Sequence, residues 1–395
     1  MALTNFKAFS ELELRLGPLT LLTGLNSSGK SSVLQALALL HQSHTSGNLL
    51  GAADLATAPP AEDRRPSAAP PAGLLLNGEL VGLGTGRDVL HEDFVGDEPL
   101  VTIAVDEGEL RYAWTARYEA EQNLLPLVRA LLPVADKLGT SGEAGVHPSY
   151  FTRGFQYLHA DRISPAEFYP RDHQTAVGRR FLGTKGEHTI NYLRQFGREE
   201  VPEPLRHRNQ RDRRLLQQAA AWIGELCPGI DLQAHIIDGT DQVRLSYGFD
   251  GPRGTRRRPT NVGFGLTYAL PVVVACLTSG PGSLLLLENP EAHLHPRGQT
   301  GMALLAAASA ANGAQVVMET HSDHVLNGLR LAVKRGRLRP EDAVLHYFRH
   351  DQAGSKDDHL GVEVVSPAVD REGRLDQWPH GFFDELENTL DQLLS

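Results

Sequence analysis

Near the N-terminus the chain reads Gly24-Leu25-Asn26-Ser27-Ser28-Gly29-Lys30-Ser31, followed by Ser32. Glycines let a short loop curl so that successive backbone N–H groups surround an oxyanion. A helix starting at Ser31 would point its positive end at the same anion. Lys30 then supplies charge to the β- and γ-phosphates, and the Ser31 hydroxyl is placed to ligate Mg2+. The chemistry these residues suit is the binding of a nucleoside triphosphate with its metal.

Three further stretches carry candidate chemistry. In Leu284-Leu285-Leu286-Leu287-Glu288-Asn289-Pro290-Glu291, a short apolar strand ends in a carboxylate. Glu288 is expected to hold Mg2+ through water, and the alternative is a carboxylate at a helix start beside Pro290. Glu291 is either a catalytic group or a capping residue. In Val316-Val317-Met318-Glu319-Thr320-His321-Ser322-Asp323, a strand delivers His321 to its end. There the imidazole can reach a γ-phosphate or serve a structural role. In Asn261-Val262-Gly263-Phe264-Gly265-Leu266-Thr267, a glycine pair opens an apolar helix. The simplest reading of that pair is close packing at a helix N-terminus.

Elements of suitable type flank each motif. Strands are expected at Leu12 to Leu16, Leu19 to Thr23, Leu74 to Leu80, Val101 to Ala116, Leu284 to Leu287 and Gln315 to Glu319. Helices are expected from Ser31 to about Gln42, at Leu124 to Leu138, Leu215 to Leu226 and Leu266 to Leu277, and from Arg297 to Asn312 and His324 to Lys334. The alternation predicts an α/β protein. Residues 45–72, rich in Ala, Pro and Gly, read as a mobile insertion. Apolar runs are too short to span a bilayer, no secretory pattern opens the chain, and Cys227 and Cys276 give no disulfide framework or zinc site. These features predict a cytoplasmic protein with no membrane partner. A net charge of -10 argues against a dedicated nucleic-acid binder. Two arginine clusters stand out against it: Arg206, Arg208, Arg211, Arg213 and Arg214, and Arg253, Arg256, Arg257 and Arg258. His159, His173 and His188 are too scattered for metal-ligand spacing.

Taken together, NFKAF, GLNSSGKSS, NVGFGLTYALP, LLLLENPEAHLHP and ETHSD resemble the SMC/RecF/OLD-like branch of ABC-type ATPases, and the tail around Trp378-Pro379 and Gly381-Phe382-Phe383-Asp384 is similar to an uncharacterised C-terminal domain of predicted bacterial AAA ATPases. The resemblance implies a P-loop NTPase with an ABC/SMC-like head and a mixed, largely helical inserted lobe. The division expected is 1–118 for the first part of the head, 119–240 for the lobe and 241–395 for the second part. It implies ATP and Mg2+ as cofactors and a homodimer in which two heads sandwich two ATP molecules. Gly24, Asn26, Ser27, Ser28, Gly29, Lys30, Ser31 and Ser32 would hold one protomer's ATP, with Ser31 and Glu288 on the metal. Lys7 would reach the nucleotide from the N-terminal strand. Gly263, Gly265 and Thr267 would serve the partner's ATP, and Ala292, His293 and His295 fall where a cross-dimer loop lies. His321 would be the switch histidine.

Two features depart from the family pattern. Asn289 stands where a catalytic base is usual, and an amide orients water but takes no proton from it. Glu291 is the substitute, and slow turnover follows as one outcome. No glutamine stands out for sensing Mg2+, a place that Gly82 to Arg87 fills instead. Arg162 is a candidate for nucleotide or DNA contact, against a structural ion pair with Asp161 or Glu167. The residues after His321 lack the acidic cluster of a nuclease. The favoured expectation is therefore an ATP-gated dimer controlling a separate effector, a nuclease or toxin, in defence against phage or plasmids. Its rivals are an ATP-binding scaffold with little hydrolysis and a RecF-like clamp that binds DNA.

Overall fold

The computed structural model describes residues 1–49, 72–133, 147–151, 154–225, 229–249, 254–350, 361–383 and 385–394. In chain order the first elements are β1 (Ala2–Phe6), β2 (Phe9–Glu13), β3 (Leu19–Gly24), α1 (Lys30–Thr45), β4 (Gly73–Leu75), β5 (Leu100–Glu107), β6 (Leu110–Arg117) and β7 (Leu124–Leu131). Next come β8 (Phe155–Leu158), β9 (Tyr169–Pro170), α2 (Thr189–Phe196), α3 (Leu215–Gly224), β10 (Asp231–Ile236), β11 (Gln242–Gly248) and β12 (Arg256–Arg257). The last are α4 (Phe264–Leu277), β13 (Leu284–Glu288), α5 (Pro296–Ala311), β14 (Gln315–Glu319), α6 (Asp323–Lys334), β15 (Ala343–His350), β16 (Val362–Val365) and α7 (Glu385–Leu394). The fold is α/β, and the chain divides into two compact units.

One unit comprises Met1–Arg15, Leu25–Phe151 and Phe348–Glu363. Its antiparallel sheet has the order β2-β1-β5-β6-β7-β4. Alternation drives β5 and β6 inward on one face: Val101, Ile103, Val105, Tyr112, Trp114 and Ala116 are buried. Helix α1 is tied to this unit by Gln42, whose amide donates to the Leu75 carbonyl at 2.7 Å and accepts from the Leu80 and Val81 N–H groups. The helix expected at Leu124 to Leu138 is instead strand β7 as far as Leu131. Leucines at close spacing satisfy either period, but Leu125 and Leu127 point inward together at a spacing of two. The strand expected at Leu12 to Leu16 begins earlier, at Phe9, because it pairs with β1 as a hairpin. Most of the expected insertion at 45–72 lies outside the described residues, as do Cys227 and Arg253.

The other unit comprises Leu16–Gly24, Thr152–Tyr347 and Val364–Ser395. Strands β8, β13, β14 and β3 run parallel and in that order, and β15 and β16 continue the sheet beyond β3. Their continuous apolar runs suit strands covered on both faces. Leu287 lies opposite Met318, and Met318 opposite Leu21, so β13 and β14 end opposite one another and β3 runs two residues further, to Gly24. Helix α4 is apolar all round and buried from Leu266 to Leu277. It carries Cys276, whose thiol burial pushes up to about 12. A smaller sheet joins β10, β11 and β12, with β9 on β11. Among its described residues the span 119–240 thus mixes four strands with helices α2 and α3.

Candidate functional site

Lys7 and the phosphate-loop residues from Leu25 to Ser32 belong to the first unit, and Gly24 ends β3 in the second. The loop leaves β3 through Gly24 at φ 137°, turns again at Ser27 with φ 61° and enters α1 through Gly29 at φ 88°. A side chain at Gly29 would be strained, and its Cβ would sit 2.5 Å from the Phe9 ring and 3.0 Å from Ala8. Gly29 caps α1 without any side-chain hydrogen bond, and the first turn carries no acid. The helix therefore opens on backbone N–H groups suited to an anion. Lys30 is buried and folds back on the loop, its ammonium donating to the Leu25 carbonyl at 2.5 Å and lying 3.5 Å from the Ser28 hydroxyl. Asn26 and Ser27 are exposed, Ser31 is half-buried, and Ser28 and Ser32 are buried. Of these serines, Ser31 offers the accessible hydroxyl at the helix start. The N-terminal hairpin turn places Lys7 beside α1, with its ammonium donating to Gln35 at 2.8 Å. Burial lowers the Lys7 pKa. The arrangement fits a triphosphate.

The acids, His321 and the glycine pair belong to the second unit. Glu288 is the last residue of β13, not a helix-start carboxylate. One of its oxygens accepts from the Tyr157 hydroxyl at 2.5 Å and the other from the Ala160 N–H at 3.0 Å. Burial, then the Glu288 carboxylate, raises the Tyr157 pKa well above its ordinary value and keeps the phenol a donor. Asn289 turns the chain at φ 43°, with its N–H on the Glu319 carbonyl. Glu291 caps no helix: α5 starts later, on His295. Its Oε1 accepts from the Thr320 hydroxyl at 2.5 Å and the His321 N–H at 3.3 Å. Its Oε2 is buried without a hydrogen-bond partner among the described residues, and burial raises the Glu291 pKa. His321 itself is exposed at the end of β14.

Arg162 makes neither of the ion pairs weighed for it. Asp161 pairs with Lys185 and Glu167 with Arg258. The Arg162 guanidinium, buried at 2 % exposure, donates instead to the carbonyls of His159, Tyr268, Glu288 and Asn289 at 2.6 to 3.1 Å. It also lies over the Tyr268 ring, 5.0 Å from its centroid. One side chain thus fastens the turn after β13 to the start of α4. Burial lowers its pKa to about 10, still well above neutrality.

The glycine pair is asymmetric. Among the described residues a Cβ at Gly263 would meet nothing within 4 Å, whereas one at Gly265 would sit 2.5 Å from the His293 carbonyl oxygen. His293 is exposed at φ 63° and packs edge-on against Phe264 and Tyr268. Ala292 precedes it in the same turn, and His295 accepts from the Arg297 N–H at the start of α5. Thr267, expected to face a second protomer's ATP, is instead buried with its hydroxyl 3.2 Å from that of Tyr247. One helical turn beyond Gly263, it points into the core. In the stretch Gly82 to Arg87, the N–H and carbonyl of Gly84 bond to Asn77, and Arg87 pairs with Glu121.

Sequence reasoning did not single out Tyr157 or Glu319. Glu319 is buried opposite Glu288 in the strand register. Tyr157 lies far upstream of its partner, and no local pattern marks it. Glu319 stood in the ETHSD motif, whose strand-end position was the available signal. Among the described residues no helix is long and apolar enough to cross a membrane.

Residues 111–327 match the family described as AAA domain, putative AbiEii toxin, Type IV TA system. Residues 338–393 match a family described as a protein of unknown function (DUF3696). No curated protein matches the chain. Among solved structures, an Smc head bound to the C-winged helix domain of ScpA is 15% identical, with a TM-score of 0.47 over 94% of this chain and 97% of that one. An SMC head domain from Thermotoga maritima is 12% identical, with a TM-score of 0.42 over 93% and 97% of the two chains. An Smc head with an extended coiled coil from Pyrococcus furiosus, bound to the C-terminal domain of ScpA, is 14% identical with a TM-score of 0.45 over 100% and 98%. With more than half of its length matched, from the last strands of the antiparallel sheet to the helix after His321, the chain belongs to the AAA domain, putative AbiEii toxin, Type IV TA system family.

Proposed function

We propose that the chain is an Mg-dependent ATPase whose turnover requires two copies closing on ATP. The observation that carries this reading is that β3, β14 and β13 end within two residues of one another. Three parallel strands in register finish on Gly24, the start of the phosphate loop, on Glu319 before Thr320 and His321, and on Glu288. Lys30 and the N–H groups opening α1 would hold the phosphates, Ser31 and Glu288 would hold Mg2+, and the metal would neutralise charge developing on the phosphates. Glu291 would be the base. Its Oε2 lacks a partner and its raised pKa strengthens it as a proton acceptor near neutrality. Water would give its proton to that oxygen as its own oxygen bonds to the γ-phosphorus and the bond to the β-phosphate oxygen breaks. Asn289 would orient that water rather than deprotonate it.

Exposed Phe264, with Gly263 and His293 beside it, is the face offered to a second protomer's nucleotide. The test is oligomeric mass and ATP turnover with Mg2+ for wild type, Lys30→Ala and Gly263→Asp. The proposal expects ATP to raise the wild-type mass, and both variants to lose turnover. An active Gly263→Asp protein, or turnover that does not depend on protein concentration at dilution, would overturn the two-copy requirement. Asn289 supports one second reading, a nucleotide-gated scaffold with little hydrolysis, in which ATP changes the mass without turnover. The family's description names a toxin and a TA system. That supports placing the ATPase in control of a separate effector, in defence against phage or plasmids.

A further inference from the structure

The arginine clusters legible in the sequence are redistributed by the fold. Arg213, Arg214, Arg256 and Arg258 are spent on Glu200, Asp212, Asp231 and Glu167, and Arg206, which lines the cavity described next, shares Glu200 with Arg213 at 3.6 Å. Arg206 and Arg208 converge with Arg297, Arg335 and Arg337 around a cavity of about 620 Å³. Among its lining residues the only carboxylate is Glu225, already shared between His207 at 2.9 Å and Arg297 at 3.3 Å. Arg208, Arg335 and Arg337 have no carboxylate partner among the described residues. In a chain of net charge -10, this is a local excess of positive charge. The floor is apolar. Leu304 and Ala308 on α5, Leu331 on α6 and Trp222 on α3 line it half-exposed. On α5 the lining positions Arg297, Gly301, Leu304, Ala308 and Ala311 recur at helical spacing, so one face of that helix lies open along its length. Among the described residues a Cβ at Gly301 would meet nothing within 4 Å.

We infer that this cavity binds a phosphorylated small molecule with a flat apolar body, of the size of a mononucleotide. Guanidinium groups match phosphate geometry and are weakly hydrated, which suits them to shedding water at such a site. The volume falls within the range of about 300 to 1,000 Å³ typical of ligand pockets. A concave pocket with an apolar floor favours a free nucleotide-sized ligand over a duplex, which would call for an extended basic stripe. The site is separate from the phosphate loop and does not depend on the ATPase reading.

The experiment uses full-length Lys30→Ala protein, which silences the phosphate loop. Binding of AMP, inorganic pyrophosphate and a 5′-phosphorylated single-stranded 12-mer is followed by calorimetry. AMP should bind saturably, and Arg335→Glu/Arg337→Glu should weaken both AMP and pyrophosphate at least tenfold. Leu304→Trp, filling the floor, should weaken AMP more than pyrophosphate. Arg213→Glu/Arg214→Glu, which changes the same charge outside the cavity, should leave AMP within twofold. Both exposed arginine pairs can be altered without touching the core, and unchanged melting verifies it. No saturable AMP binding, binding of the 12-mer alone, or an equal loss from the control pair would overturn the proposal.

Discussion

Replacing Arg162 by Met keeps most of the buried volume and removes the guanidinium. Four carbonyls then lose a charged donor, those of His159, Tyr268, Glu288 and Asn289. An unsatisfied buried carbonyl costs about 1–3 kcal/mol, and the terms do not add fully. Water can reach the carbonyls of half-buried Glu288 and Asn289 more readily than that of Tyr268. Desolvating the guanidinium, visible in its lowered pKa, is a cost that the variant escapes. The net expected loss is about 3–5 kcal/mol, as for other disrupted buried charge networks. At about 2–4 °C per kcal/mol, melting should fall by roughly 10 °C. Displacing the turn that carries Glu288 and Glu291 by even about 1 Å should cost turnover on the order of 100-fold. Affinity for ATP should change little, because the Arg162 guanidinium bonds to the carbonyls of His159, Tyr268, Glu288 and Asn289. Thermal unfolding followed by circular dichroism, with ATP titration and turnover on the same preparations, reads all three. Arg162→Lys, which keeps the charge but not the fork, should fall between. An Arg162→Met protein that melts and turns over like wild type would refute the clamp.

Four further outcomes follow from the geometry. Gly265→Ala forces a methyl onto the His293 carbonyl and should destabilise by about 1–3 kcal/mol with loss of turnover. Gly263→Ala, pointing into open space, should melt within about 0.5 kcal/mol of wild type. Because burial raises the Glu291 pKa, its contribution to stability is complete below the unfolded value of 4.5 and is lost as pH rises through the folded pKa. Glu291→Gln should therefore melt higher than wild type at pH 8, with the gain shrinking toward pH 4; an equal gain at both pH values would contradict the burial argument. Tyr157→Phe leaves one Glu288 oxygen without its donor and should cost about 1 kcal/mol, with the Mg2+ needed for half-maximal turnover shifted. An unchanged Mg2+ titration would separate Tyr157 from the metal site.

What could be read in advance was what local pattern encodes. Strand β14 lies at the expected residues, and β13, α4, α5 and α6 lie within two residues of expectation, because long apolar runs and caps mark them. The unreadable parts depend on distant partners. Strand β7 has leucines that fit either period, and its pairing with β6 and β4 decides the matter. The hairpin of β1 and β2 depends on β5 accepting β1 as a neighbour. Arg162 bonds to backbone carbonyls more than a hundred residues away, a contact that side-chain identity cannot announce. Thr267 fits the motif by position in the chain, but helix phase turns it toward Tyr247.

The central claim is that Glu291 is the base of an ATP hydrolase, with Asn289 beside it unable to accept a proton. It is tested most directly by single-turnover release of phosphate from MgATP by wild type and Glu291→Gln. The account predicts release by wild type, and a Glu291→Gln protein that binds ATP as tightly but releases phosphate at least 100-fold more slowly. Release at the wild-type rate by Glu291→Gln would contradict it.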